Sequence, residues 1–373
     1  MRILIAPLDW GLGHATRCIP IIKYLLEKKC EVIIGADGRP LDLLKKEFPL
    51  CEFVIIRGYD ISYPKNGSMV LKIAAQIPKI LLGIKREHDQ LKKIIKEKKI
   101  DAVISDNRFG LWSREVPCVF ITHQLMVKSP FGEKIIHQLN KKYISKFTEC
   151  WIPDMKEGGL SGDLAHKFPI PENAQYVGVL SRFFAKAQND KYKRDLLVIL
   201  SGPEPQRTTF EEKILKQIAA NPPVSQSETS PFTRGILIVQ GITEKNERIN
   251  LPAGQAGISE NVEMVSHLTS AELQREILSS EIILSRSGYS IVMDLAVLGK
   301  KAIFVPTPGQ TEQVYLAKYF SEKKIAYSVS QNKFDLNFAL QESKKYNGFI
   351  ENYSGKEFKT VVDVFLAKAQ SMG

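Results

Sequence analysis

The stretch Ser285-Arg286-Ser287-Gly288 follows the apolar run Ile282-Ile283-Leu284 and precedes a helical pattern that carries Asp294. A buried strand that ends in small residues at a helix start leaves backbone N–H groups at the positive end of the helix dipole. With Arg286 beside it, such a point suits a phosphate or diphosphate. Asp294 lies less than two turns further on, where it can accept hydrogen bonds from ribose hydroxyls. The next strand, residues 302–306, delivers Glu312 and Gln313 to the same rim as acceptor and donor for more hydroxyls. Phosphate, ribose and sugar groups in that order describe a nucleotide-sugar site.

The segment from Arg286 to Asp294, with Glu312-Gln313 behind it, resembles the C-terminal donor motif of glycosyltransferases with the GT-B architecture. It is similar both to MurG-type bacterial enzymes and to the UDP-glycosyltransferases of plants and antibiotic pathways. The resemblance implies that Arg286, Ser287 and Gly288 face the donor diphosphate. It implies too that Asp294, one methylene shorter than the usual Glu, holds the ribose, and that Glu312 and Gln313 hold the donor sugar. Ser201 and Gly202, after the first strand of the second half, resemble the GT-B loop that meets the donor phosphate. Pro203 and Pro205 remove two N–H donors there, and an ordinary strand-to-helix turn is the alternative reading. His267, in Val265-Ser266-His267-Leu268, matches the place where the nucleobase rests.

In the first half the opening strand runs into Gly11-Leu12-Gly13-His14. Thr16 occupies the third glycine position, so the pattern is a poor dinucleotide fingerprint. It is closer to the G-x-G-H turn of GT-B first domains. That resemblance implies that Gly11 and Gly13 let the backbone approach the ligand, and that His14 removes the proton from an acceptor hydroxyl. A histidine capping or packing at a helix start is the alternative. Strand 102–105 ends on Asp106, which places this carboxylate on the same rim as His14. Plant UDP-glycosyltransferases carry an Asp at a similar strand end that orients the catalytic histidine, and Asp106 looks like it. The other reading is a solvated Asp capping the next turn. His123 and Gln124 end a further strand on that rim, facing acceptor or donor, or serving the structure alone.

The elements that must position these residues alternate as strand and helix, the signature of parallel sheets with crossover helices. Strands are expected at 2–6, 31–35, 52–56, 102–105, 118–122, 149–152 and 175–179, then at 196–200, 236–239, 262–265, 282–284, 302–305 and 326–329. The fold class is α/β, and the resemblance implies a GT-B architecture of two Rossmann-like doubly wound domains facing across a cleft. Residues 1–180 form an acceptor-binding domain and 195–348 a nucleotide-sugar-binding domain. Helix 349–373 packs back on the first domain, as is common in GT-B enzymes. Residues 221–234 and 243–260, rich in Pro, Gly and polar residues, read as long surface loops.

A chain of 373 residues with 44% hydrophobic and 25% charged residues is ordinary for a two-domain globular enzyme. Its net charge of +11 favours an anionic partner. Five cysteines, all in the first half and without a C-x-x-C pair, read as thiols in a reducing compartment rather than a disulfide framework. A first strand starting at Arg2 leaves no room for a signal peptide. The expected location is therefore cytoplasmic, or peripheral on the inner face of the membrane. The basic and apolar segment 69–98 reads as a surface for anionic lipid presenting a lipid-linked acceptor, or as a crossover helix with one solvated lysine face. No D-x-D occurs, so no metal is expected on the diphosphate, and no cofactor is needed.

These observations lead to a glycosyltransferase, a hexosyltransferase that moves a sugar from a nucleotide-diphosphate donor, a UDP-sugar, to an acceptor hydroxyl with inversion. The acceptor is lipid-linked or a small glycan. Two alternatives stand beside this reading: a non-hydrolysing nucleotide-sugar epimerase, and a non-catalytic basic anion-binding protein. Nucleic acid is not an expected partner.

Overall fold

The computed structural model describes residues 1–59, 76–128, 133–183, 192–220, 234–245, 247–250, 262–350, 353–354 and 356–372 of the chain. Two compact units emerge: Met1–Phe184 with Ser354–Gly373, and Ala185–Tyr353.

The first unit is built on a parallel sheet of seven strands: β1 (Arg2–Pro7), β2 (Glu31–Ala36), β3 (Glu52–Ile55), β4 (Ala102–Asp106), β5 (Cys118–Ile121), β6 (Glu149–Ile152) and β7 (Ala174–Tyr176), in the order β3-β2-β1-β4-β5-β6-β7. Strand β1 is apolar on both sides, with Ile3, Leu4, Ile5 and Ala6 fully buried, because helices cover both faces of such a sheet. Leu4, Ile33, Val103 and Phe120 share one core with Leu91 and Ile95 of α3 (Ile77–Lys98). Helix α1 (Leu12–Glu27) buries Ala15, Cys18, Ile19 and Ile22, and α2 (Gly38–Glu47) follows β2. The chain steps outward from β1 to β3, and α3 then carries it back to β4. The order therefore reverses between β1 and β4, where the pairing brings Pro7 opposite Asp106. Ligands of open parallel sheets gather at such a reversal, beyond the carboxyl ends of the strands.

Helices α4 (Glu133–Ile144) and α5 (Asp163–His166) complete the crossovers of this unit. A helix from the far end of the chain, Glu357–Met372 (the last element, α11), also belongs to it. Phe365 meets the Trp151 ring edge-on at 5.5 Å and Phe358 meets Tyr24 at 5.8 Å. Lys368 donates to Glu149 at 2.8 Å, and Tyr24 Oη donates to Asp363 at 2.8 Å. Gly178 allows the close approach of this helix. Its φ is +78°, and a Cβ there would lie 2.7 Å from Cβ of Glu357.

The second unit repeats the plan with strands β8 (Arg194–Ile199), β9 (Ile236–Val239), β10 (Arg248–Asn250), β11 (Val262–Val265), β12 (Ser280–Ser285), β13 (Lys301–Phe304) and β14 (Tyr327–Ser328). Their order is β10-β11-β9-β8-β12-β13-β14. The reversal falls between β8 and β12, where Ser285 pairs with Ile199 on one side and Phe304 on the other. Helices α6 (Gln206–Ala220), α7 (Ser270–Ser279), α8 (Tyr289–Leu298), α9 (Thr311–Glu322) and α10 (Leu336–Ser343) connect the strands. Helix α7 opens on a full capping box, with Thr269 and Glu272 exchanging side-chain and backbone bonds.

All thirteen strands expected from the sequence form. One more was not expected: Arg248–Asn250, within the loop read as 243–260, pairs antiparallel with β11 at the edge of the sheet. The remaining loop stretches 221–233 and 251–261, and the start of the 69–98 segment up to residue 75, lie outside the described residues. No helix among the described residues is long and apolar enough to cross a membrane.

Candidate active site

In the first unit, His14 and Asp106 meet at the β1/β4 reversal. Gly11, at φ +150°, precedes α1 with no side-chain cap, and His14 lies in the partly exposed first turn of the helix. His14 Nδ1 lies 2.9 Å from Asp106 Oδ1, with the imidazole partly exposed and the carboxylate fully buried. Gly13 stands beside it, and its carbonyl accepts from Thr16 Oγ1 at 3.0 Å.

A residue absent from the sequence reading dominates this cluster. Arg17, one turn beyond His14 and buried, grips Asp106 with two donors, Nε on Oδ2 and Nη2 on Oδ1. Its Nη1 lies 2.8 Å from Nδ1 of His123, the buried histidine two residues after β5, and its Nη2 is 2.9 Å from Nδ1 of His14. Burial alone would raise the Asp106 carboxyl. The charges of Arg17 and His14, with their hydrogen bonds, overcome it and hold the group down to about 2. Asp106 is therefore ionised at any physiological pH, as a group that must stabilise an imidazolium requires. Gln124 follows His123 on the same edge, its backbone N–H donating to Thr122 Oγ1 at 3.1 Å. The sequence did hold a signal for Arg17. A cation on an otherwise apolar helix face needs a buried acid, and Asp106 ends the adjacent strand.

Beside this cluster the same unit holds a cavity of about 590 Å³, lined by Arg57, Tyr59, Lys79, Gly83, Arg86 and Glu87 among others. The one acid among the described lining residues, Glu87, is already engaged. Glu87 accepts from Arg108 Nε at 2.8 Å, from Tyr59 Oη at 2.6 Å and from Gly110 N at 3.1 Å. Burial raises the Glu87 carboxyl, and Arg108 pulls it back. Arg57, Lys79 and Arg86 are the basic residues among the described lining. The cavity adjoins the turn that carries His14: a Cβ on Gly58 would overlap the Asp9 carboxylate at 1.8 Å, and the Tyr59 ring meets Trp10 at 6.2 Å. Asn107, at φ +58°, turns the chain so that Asp106 serves the histidine cluster and Arg108 serves Glu87.

In the second unit the loops after β8, β12 and β13 converge at its own reversal. Gly202 sits at φ +105°, a conformation that L side chains rarely adopt, while a Cβ there would meet Thr307 Oγ1 only at ordinary contact, 3.4 Å. Ser201 stands next to it at the loop's partly exposed rim. Ser287 Oγ donates to the Gln313 carbonyl at 2.8 Å, and the Gln313 side chain accepts from Thr307 N at 2.7 Å. The structure thus brings Ser287 and Gln313 together, with the Gln313 amide buttressing the loop. Gly288 caps α8 with extended backbone and open space where a Cβ would be. Asp294 is buried on α8, Glu312 is partly exposed in the first turn of α9, and His267 follows β11.

Arg286 corrects the sequence reading. Its side chain turns inward rather than toward a diphosphate. Nη1 donates to the carbonyls of Val305 and Pro306 at 3.0 and 3.3 Å, and Nη2 to Gln206 O and Gln331 Oε1 at 2.9 and 2.7 Å. The guanidinium stacks 4.3 Å over Phe210, and burial lowers its pKa to about 10. The reason is local. The carbonyls just after β13 meet the Gln206 carbonyl at the start of α6 here, and these buried acceptors need a donor.

Residues 1–156 match the model of Glycosyl transferase family 1, and residues 212–356 that of the Glycosyltransferase family 28 C-terminal domain. The UDP-N-acetylglucosamine–N-acetylmuramyl-(pentapeptide) pyrophosphoryl-undecaprenol N-acetylglucosamine transferase of Caldicellulosiruptor saccharolyticus is 20% identical over 91% of this chain and 85% of its own. Among solved structures, the glycotransferase of kitacinnamycin superposes with a TM-score of 0.63 at 11% identity, over 99% of this chain and 98% of that one. The UDP-GlcNAc 2-epimerase of Neisseria meningitidis superposes with a TM-score of 0.56 at 16% identity, over 98% and 100%.

Proposed function

Starting from a glycosyltransferase of the GT-B fold, we propose that this chain moves a sugar from a UDP-sugar to an acceptor hydroxyl by one inverting displacement, without a divalent ion or other cofactor. The observation that carries the proposal is the hydrogen bond between His14 and the ionised, buried Asp106 at a sheet reversal. His14 Nε2 takes the proton of the acceptor hydroxyl as its oxygen attacks the anomeric carbon, and Asp106 stabilises the imidazolium that forms. The bond from that carbon to the diphosphate breaks on the opposite side. Because Arg286 faces inward, backbone N–H groups at the start of α8 and in the Ser201-Gly202 loop take the charge that grows on the leaving group. In this reading Asp294 holds the ribose, Glu312 the sugar, and the loop at His267 the base.

The basic residues lining the cavity support an acceptor that carries a phosphate or diphosphate close to its reacting hydroxyl. Ile77, Leu81 and Leu82 of α3 are each about half exposed beside Lys79 and Lys85, which supports docking on an anionic bilayer and a lipid-linked acceptor at its inner face. A small glycan phosphate would need the cavity and not the bilayer. Co-sedimentation with vesicles containing phosphatidylglycerol, compared with phosphatidylcholine alone, separates the two.

The decisive experiment is thermal stabilisation by UDP, TDP, GDP and ADP, followed by transfer assays with His14→Ala. A nucleotide at a hundredfold its Kd adds about 2.7 kcal/mol. UDP should give the largest shift, unchanged by EDTA, and His14→Ala should abolish transfer while keeping that shift. Full transfer by His14→Ala would end the base assignment. Release of an epimerised sugar nucleotide without any acceptor would favour the epimerase reading.

A further inference from the structure

Arg17 contributes three separate nitrogens to two histidines and one carboxylate, and a guanidinium can only donate. We propose that Arg17 is a positioning residue that fixes His123 with its proton on Nε2, while Asp106, held by the same guanidinium, keeps the proton of His14 on Nδ1. This inference rests on the assignment of His14 as the base.

The argument runs atom by atom. His123 Nδ1 lies 2.8 Å from Arg17 Nη1, so this nitrogen must be the acceptor, and the neutral ring carries its hydrogen on Nε2. A proton on Nδ1 would set two N–H groups against each other. His14 Nδ1 is 2.9 Å from both Arg17 Nη2 and Asp106 Oδ1. Two ions compete for that nitrogen, the guanidinium as donor and the carboxylate as acceptor; Arg17 Nη2 already has Asp106 Oδ1 as its acceptor, and His14 donates to the same carboxylate. The His14 proton therefore sits on Nδ1, which leaves the Nε2 lone pair to take a hydroxyl proton. Asp106 remains a carboxylate throughout and takes no proton. Among the described contacts, the cluster joins His14, Arg17 and Cys18 from α1, Asp106 from β4 and His123 after β5; the Cys18 thiol donates to Asp106 from 3.7 Å. Asp106 thus leaves the first histidine an acceptor at Nε2, and Arg17 makes the second a donor at Nε2.

Long-range proton–nitrogen NMR of the full chain reads each tautomer directly, with His14→Gln and His123→Gln assigning the signals. The expected spectra show His14 as Nδ1–H and His123 as Nε2–H. A His123 ring protonated on Nδ1, or a His14 ring protonated only on Nε2, overturns the proposal. Arg17→Met should leave His123 exchanging between both forms, with Arg17→Lys in between. In transfer assays kcat should fall on the order of a hundredfold in Arg17→Met and recover about tenfold in Arg17→Lys, with KM moving less than about threefold. A folded Arg17→Met that keeps a single His123 tautomer, or loses KM rather than kcat, refutes it. Should truncation prevent folding, the wild-type and Arg17→Lys spectra still decide. The spectra need no substrate, so an error in the assigned reaction leaves them unchanged, and an error in the tautomers leaves nucleotide binding unchanged.

Discussion

Replacing Asp106 with Asn keeps the size of the side chain and removes its charge, leaving the buried Arg17 guanidinium without its counter-ion. Breaking one side of a buried ion pair costs about 3–5 kcal/mol. Part of this loss depends on pH. The folded-state pKa lies at about 2 against an unfolded value of 3.8, nearly two units, and one unit is worth about 1.4 kcal/mol. A depressed carboxylate stabilises the fold above its unfolded pKa and loses that contribution as pH falls through the folded one. About 2.5 kcal/mol should therefore be fully present above about pH 5 and largely gone by about pH 2. All three tryptophans, Trp10, Trp112 and Trp151, lie in the first unit, so their fluorescence follows the unfolding of that unit alone. Urea titrations of wild type and Asp106→Asn should differ by about 3–5 kcal/mol at pH 7, and the gap should narrow by about 2 kcal/mol toward pH 2. A gap that stays constant over that range, or no gap at pH 7, would falsify the claim that Asp106 is held ionised by Arg17.

Arg286→Lys should lower the stability of the second unit by about 2–4 kcal/mol, because one ammonium cannot serve four oxygens, while nucleotide Kd at a permissive temperature changes less than about threefold. An intact fold with Kd raised more than about thirtyfold would return the guanidinium to the ligand. Arg57→Ser combined with Arg86→Ser should raise KM for a phosphate-bearing acceptor about tenfold or more and leave donor KM alone. Equal loss for charged and neutral acceptors would remove the anion from the cavity. Gly178→Ala should destabilise the first unit by about 1–3 kcal/mol in tryptophan-monitored unfolding, since its new methyl would displace the start of α11. Wild-type stability there would mean that the terminal helix moves aside freely.

The strands were legible because parallel strands buried on both faces are uninterrupted apolar runs, as in Ile3-Leu4-Ile5-Ala6 and Ile282-Ile283-Leu284. Arg248–Asn250 was not, since a three-residue edge strand with one exposed isoleucine carries no such run. His14 and Asp106 could be placed on one edge from strand ends alone. Arg17 could not be read as their partner by composition, although its neighbours Ala15, Cys18 and Ile19 mark its side of α1 as buried. Arg286 misled for a related reason. A cation at a small-residue turn looks like a phosphate ligand, and only the meeting of the Val305, Pro306 and Gln206 carbonyls reveals how many acceptors there require a donor. Side chains that satisfy the fold and side chains that await a ligand share one alphabet, and distance separates them.

The placement of α11 has a consequence for biogenesis. The helix that covers Trp151 and Tyr24 is translated after every residue of the other unit. A nascent chain can therefore finish its second sheet while the first still lacks part of its wall. Ribosome-bound chains halted before residue 354 should expose that aromatic face to chaperones, and release of the last twenty residues should close it.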